Sequence, residues 1–160
     1  LTNSLDDFDF SILRLLQEDG TMSAVEIGER IHLSQNACWR RIKHMEAVGI
    51  IRRRVALLDP YKLDLPMTVI VMIRAAEHSE SWLSEFSRAV TNIPEVVEFY
   101  RMSGDVDYLL KLRVADIQAY DAVYQRLIRS VRLTSVSSSF AMEEIKYTTA
   151  LPLGGSSAPS

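Results

Sequence analysis

Residues 34–54 read SQNACWRRIKHMEAVGIIRRR, and few folds accept residues in that order. Ser34 is suited to accept the unpaired amide protons that open a helix, and Gly49 to take the left-handed backbone that closes one. Between them Cys38, Ile42 and Met45 fall at i, i+4 and i+7, a single apolar stripe. That stripe has to lie on other apolar elements, which turns Gln35, Asn36, Trp39, Arg40 and Lys43 outward. Six basic residues (Arg40, Arg41, Lys43, Arg52, Arg53 and Arg54) stand here against one acid, Glu46, in a chain of net charge −3. Charge so local in an acidic chain points to an anionic partner.

The residues before the stretch supply its base. Phe8, Ile12, Leu15 and Leu16 form the buried stripe of a first helix over 5–18. Asp6 caps it, Asp7 and Asp9 favour its positive end, and Gly20 ends it. A second helix opens at Ser23 with Glu26 three residues on, a capping box, and is expected to bury Val25, Ile27 and Ile31. Leu33 closes a tight turn into Ser34. Two short helices joined in this way, the second polar and basic outside, make a helix-turn-helix. Residues 50–58 then read as a two-stranded wing carrying Arg52, Arg53 and Arg54.

A solvated polar face is the plainer reading of any isolated basic helix. The capped helix before it, the glycine stop and the arginines after it together favour double-stranded DNA. Gln35 and Asn36 suit paired hydrogen bonds to adenine and Arg40 to guanine, while Arg41, Lys43 and the wing arginines suit phosphates. Ser34 completes this DNA-binding set, and Trp39 lies either against the sugar–phosphate backbone or on the wing. Cys38 belongs to the stripe as core filler, and His44 is a surface histidine.

Asp59-Pro60 punctuates the chain. Beyond it residues 67–74 are β-branched and apolar enough for a strand covered on both faces. Ser79 caps a helix that turns Leu83, Phe86 and Val90 inward, and 96–103 and 106–114 are strands around a Gly104-Asp105 hairpin. Asp116 caps a helix with Ile117, Tyr120, Tyr124, Leu127 and Val131 at helical spacing, and a last strand runs over 135–147. This order is the split βαβ arrangement of a ferredoxin-like sandwich, whose helices cover one sheet face and leave the other for oligomerisation. The expected fold class is therefore α+β. A winged helix-turn-helix over 1–59 is followed by a hinge over 60–66, a ferredoxin-like βαββαβ (ACT-like) domain over 67–147 and a flexible, low-complexity tail over 148–160.

In the second half, Asp107 and Tyr108 follow the hairpin turn, where an acid and a phenol could receive a ligand's ammonium group. A plain hairpin explains Gly104 equally well. Glu143-Glu144 reads as a solvated edge. One cysteine and scattered histidines leave no zinc spacing, so neither metal nor cofactor is expected. No phosphate loop, nucleophile elbow or metalloprotease motif supports an enzyme. No apolar run approaches the roughly 20 residues of a membrane helix, and no leader is read at Leu1, so a cytoplasmic, nucleoid-associated protein is expected.

With these residues in order, the chain resembles the leucine-responsive (Lrp/AsnC) family of transcription regulators. The resemblance rests on Leu5-Asp6…Asp9…Ile12-Leu13…Leu16 and Leu33-Ser34…Cys38-Trp39-Arg40-Arg41-Ile42…Met45-Glu46…Gly49-Ile50-Ile51. It continues through Pro94-Glu95-Val96, Ser103-Gly104-Asp105-Val106-Asp107-Tyr108-Leu109-Leu110-Lys111 and Met142-Glu143-Glu144-Ile145-Lys146. It implies dimers paired sheet to sheet, assembled into rings that are commonly octamers, with an amino-acid effector bound where dimers meet. Carried onto this chain, the effector set is Ser103, Gly104, Asp105, Asp107 and Tyr108, with Ile117, Ser139, Phe140 and Ala141. Two departures stand out. Leu63-Asp64-Leu65 replaces the usual Leu-Gly after the Asp-Pro, which predicts a stiffer hinge, and Ser130-Val131-Arg132 replaces Pro-Gly-Val before the last strand. The expected function is an effector-modulated, sequence-specific transcriptional regulator, with an architectural nucleoid protein lacking an effector as the alternative.

Overall fold

The computed structural model describes residues 5–77, 79–130 and 132–154, and the chain divides into two compact units. One unit is Leu1–Leu57 together with Lys146–Ser160, and the other is Leu58–Ile145.

The first unit holds α1 (Asp7–Glu18), α2 (Ala24–Ile31) and α3 (Gln35–Ala47). Capping sets the helix starts. Asp6 and Asp9 exchange backbone-to-carboxylate hydrogen bonds of 3.0 and 3.1 Å, and at α2 the Ser23 amide donates to the Glu26 carboxylate while the Glu26 amide donates to the Ser23 hydroxyl. The Ser34 hydroxyl accepts the Ala37 amide at 3.3 Å to open α3. The turn between α2 and α3 is closed by Leu33 N–H donating to the Gly28 carbonyl at 2.9 Å. It is tight enough that a Cβ at Gly28 would stand 2.4 Å from the Leu33 oxygen, so the helix needs glycine there. Ile12, Leu13, Met22, Ile27, Cys38, Ile42 and Met45 form the core. Phe8 and Val25, expected inside, are 42% and 43% exposed; each lies early in its helix, on the rim of a small core.

The two-stranded wing is corrected. Residues 52–58 join no ladder, and the one described sheet lies wholly in the second unit. IIRRRVALL contains no residue that would turn it back on itself, so nine residues could not supply both strands of a hairpin. The tail is corrected as well. Residues 148–154 lie in the first unit, where Leu153 packs on the core, while 155–160 fall outside the described residues.

The second unit carries β1 (Met67–Ala75), α4 (Glu80–Thr91), β2 (Val96–Arg101), β3 (Tyr108–Val114), α5 (Ile117–Ser130) and β4 (Leu133–Phe140). The strands form an antiparallel sheet in the order β2-β3-β1-β4. Alternation decides its faces. Val69, Val71 and Ile73 on β1 and Tyr108, Leu110, Leu112 and Val114 on β3 turn to the helices, where they meet Trp82, Phe86, Val90, Val123 and Leu127. Ile70, Met72, Leu109 and Lys111 have the opposite parity. They are half-buried without any helix over them, so within one chain β1 is covered on one face only. Val131, expected on the inner face of α5, lies outside the described residues. The last strand stops at Phe140 rather than 147: Phe140 pairs with Val69, and β1 begins only two residues earlier, so a ladder to 147 has no partner strand. Before β1, Tyr61–Leu63 makes one 3-10 turn that ends with Asp64 at φ 56, a left-handed backbone. Asp64 therefore fills the conformation that glycine would take more easily.

Candidate functional site

The outward face of α3 holds Gln35, Asn36, Trp39, Arg40 and Lys43, all exposed, with Trp39 at 57%. The basic residues then divide by what they already hold. The Arg41 guanidinium lies 2.8 Å from Asp6 Oδ2, 2.8 Å from Asp9 Oδ1, and 5.6 Å from the centre of the Phe8 ring. Asp9 raises its already high pKa. The Asp6 carboxyl is held below the usual range, first by the Asp9 amide and then by Arg41. Arg41, expected as a phosphate clamp, ties α3 to the start of α1. One residue past Arg40 is about 100° round the helix, enough to move a side chain from the outer face toward α1.

Lys43 pairs with Glu46 at 2.7 Å, and Arg54 donates to the Gly20 carbonyl at 3.1 Å with Glu46 3.6 Å away. Arg54 is therefore occupied in shaping the unit. The Lys43 pair is exposed and weak enough to exchange for phosphate. Arg40, Arg52 and Arg53 are exposed and bond to no described side chain or backbone group. Ser34 acts as the cap. Cys38 is fully buried, and burial raises its thiol pKa, which suits core filler. Periodicity located the reading face. The Asp6–Arg41 contact was invisible to it, since the two residues are far apart in sequence.

The effector candidates do not gather in one place. Ser103, Gly104 and Asp105 form an exposed turn, with Gly104 at φ 120. Asp107 fastens that turn to the end of β1. Its amide donates to the Ile73 carbonyl at 2.9 Å, its carboxylate accepts the Ala75 amide at 2.8 Å, and its carbonyl accepts the Met102 amide at 2.8 Å. Tyr108 is 3% exposed, its ring 5.1 Å from Phe86 and 5.8 Å from both Trp82 and Phe99. Tyr108, expected at the ligand, shares the parity of Leu110 and Leu112 and packs in the core.

Ile117, Phe140 and Ala141 lie at the other end of the sheet. Phe140 pairs with Val69, and the Ala141 amide donates to the Thr68 carbonyl at 3.0 Å, whereas the turn sits beside Ile73. Four to five residues of strand separate the groups, about 15 Å. Phe140 packs edge-on to Tyr120 at 5.1 Å, and Ile117 is 65% exposed. Ser139 opposes Ile70 and so points to the uncovered face, away from Phe140. On that face Lys111 and Glu98 pair at 2.9 Å, and Lys111 holds the Glu98 carboxyl below its usual range. Among the described residues no group of three His, Cys, Asp or Glu is placed to hold a metal ion, and no helix is long and apolar enough to cross a membrane.

Comparison with known proteins adds identity to this geometry. The family model of the AsnC-type helix-turn-helix domain matches residues 5–46, and that of the Lrp/AsnC ligand binding domain matches 68–151. The chain is 55% identical over 153 residues to a glutamate uptake regulatory protein of Zymomonas mobilis, covering 96% of this chain and 93% of the relative. It is similar to the crystal structure of an AsnC family transcriptional regulator from Agrobacterium tumefaciens, with a TM-score of 0.90 and 57% identity over 92% and 97% of the two chains. It also resembles a transcriptional regulator from Neisseria meningitidis in complex with L-Met, with a TM-score of 0.88, 35% identity, and 93% and 97% of the chains covered.

Proposed function

This chain belongs to the Lrp/AsnC family of DNA-binding transcriptional regulators, and from that premise we propose how its own residues divide the work. Gln35, Asn36 and Arg40 read base edges, Trp39 lies along the sugar–phosphate backbone, and Lys43, Arg52 and Arg53 hold phosphates. Two copies pair through the uncovered sheet face bearing Ile70, Met72 and Leu109, and the dimer reads a pseudo-palindromic site. Dimers join into a larger ring, an octamer, acting on the nucleoid in the cytoplasm.

An amino acid binds at the joint between copies. There the Ser103–Asp105 turn of one chain meets Ile117, Phe140 and Ala141 of another. The observation that carries this reading is the separation of the two groups within one chain. A ligand whose polar groups must come within about 3 Å of their partners cannot bridge about 15 Å of strand. The effector shifts the balance between assembly states, and with it the spacing of the recognition helices.

The test is a melting-temperature screen of the twenty amino acids with scattering to follow assembly. L-glutamate and L-methionine come first, because one similar protein is a glutamate uptake regulator and another was crystallised with L-Met. At least one should raise the melting temperature and change the assembly. A complete panel without effect would favour an architectural DNA-binding protein instead. All the similar proteins described above are named as regulators rather than enzymes.

A further inference from the structure

Helix α1 holds a segment that the DNA-binding reading does not use. The Gln17 carboxamide donates through Nε2 to the Leu151 carbonyl at 3.3 Å, and the Leu151 amide donates to Gln17 Oε1 at 2.7 Å. A side-chain amide so placed supplies both bonds of one strand pair to a backbone that has no ladder of its own. Thr148 shapes the approach by accepting the Ala150 amide at 3.1 Å, and Leu153 packs on the core beyond. Leu13 and Leu16 of α1 line the same groove as Leu151 and Leu153.

The docked segment comes from the other half of the chain. The ligand-binding family model runs to residue 151, yet from Lys146 onward the chain belongs to the first unit. Just before the boundary, Glu144 is ion-paired to Arg113 of β3. The segment is therefore anchored at Glu144 in the second unit and at Leu151 in the first, and it begins where β4 ends. Ile145, just past the first anchor, is 89% exposed.

We propose that Gln17 is a positioning residue. It clamps the C-terminal segment to α1, so that the end of β4 is tied to the helix-turn-helix by a route separate from the 60–66 hinge. Movement at Phe140–Ala141 pulls on α1 at Gln17, and α1 passes it to the recognition helix through the Asp6–Arg41–Asp9 contact. The direction of regulation rests on an effector acting at that end. The tie itself does not, since coupling is reciprocal and DNA bound at α3 must be felt at β4.

The experiment uses the full chain and any duplex DNA that it binds. Amide hydrogen exchange over 133–151 is measured with and without DNA for the wild type, Gln17→Leu and Gln17→Glu. In the wild type, DNA should alter exchange at 139–145. In Gln17→Leu the Leu151 amide should exchange at least tenfold faster and the DNA-dependent change at 139–145 should vanish, with DNA affinity itself within about twofold of wild type. Gln17→Glu, which keeps the acceptor of the shorter bond, should restore part of both. A chain cut before Thr148 should behave as Gln17→Leu does. The tie is overturned if DNA leaves 139–145 unchanged in the wild type, or changes it equally in Gln17→Leu. An amino-acid screen without response in the wild type would instead remove the effector reading and leave this result standing.

Discussion

In the first unit Gln35, Asn36, Trp39 and Arg40 share one face of one helix, within about 8 Å of its length. In the second unit Asp105 and Phe140 stand at opposite ends of one sheet, about 15 Å apart. A helix face can meet a groove of DNA as it stands, so on the proposed reading one chain carries its whole DNA surface. Ends of a sheet that face away from each other form a site only when another copy brings the missing half. The first arrangement is local, and the second, as proposed, needs a second copy. An effector that binds the second is then obliged to act on the assembly.

The comparison can be broken first through the cores. Phe86 is fully buried and touches Trp82, Phe99 and Tyr108, whereas among the described residues the core of the first unit holds no aromatic side chain. Phe86→Ala should cost the second unit about 3–5 kcal/mol, seen as accelerated exchange across β1 and β3. Protection of α2 and α3 should survive; its loss would show that the units do not fold separately.

Arg40→Ala comes next. It should weaken binding to a specific site by about 1–3 kcal/mol and random duplex far less, measured by titration at fixed salt. Equal losses on both would make Arg40 a clamp. A third test separates clamps from ties. Arg53→Ala should lower the slope of log affinity against log salt by about 1, while Arg41→Met should leave that slope unchanged and destabilise α1 and α3 by about 1 kcal/mol. A slope change in Arg41→Met would return Arg41 to the DNA.

The smallest effect is acid. Asp6 and Glu26 are held below their ordinary values of 3.8 and 4.5 by backbone amides at the helix caps, and Asp19 is lowered by the Thr21 hydroxyl and amide. A carboxyl lowered in the folded state lends stability above its unfolded pKa and loses it as the pH falls through the folded one. Below about pH 4 the first unit should therefore lose exchange protection before the second, where Glu98 is the one carboxyl lowered among the described residues. A sheet that opens first would contradict this.

How much of this was legible in the sequence follows the same division. Caps at Asp6, Ser23 and Ser34 and the stripe through Cys38, Ile42 and Met45 are local patterns, and they located the reading helix. The pairs of Arg41 with Asp6 and Asp9 were not legible because they reach another helix. The burial of Tyr108 follows from the β3 alternation, from which the turn motif drew attention. Residues 50–58 looked like a wing because β-branched and arginine residues suit a strand, but propensity does not supply a strand partner. The Gln17–Leu151 bonds left no trace, being a contact across 134 positions between a helix and an irregular segment.

The central claim is that the effector site is shared between copies, and subunit mixing tests it most directly. Asp105→Ala removes the turn half and Ile117→Asp the other half, and each protein alone should show no amino-acid-induced rise in melting temperature. Dissociated and reassembled together, the two should regain binding at about a quarter of the sites, because random pairing brings intact halves together. A mixture as silent as its parents, with mixed oligomers verified by mass, would contradict a site built between chains.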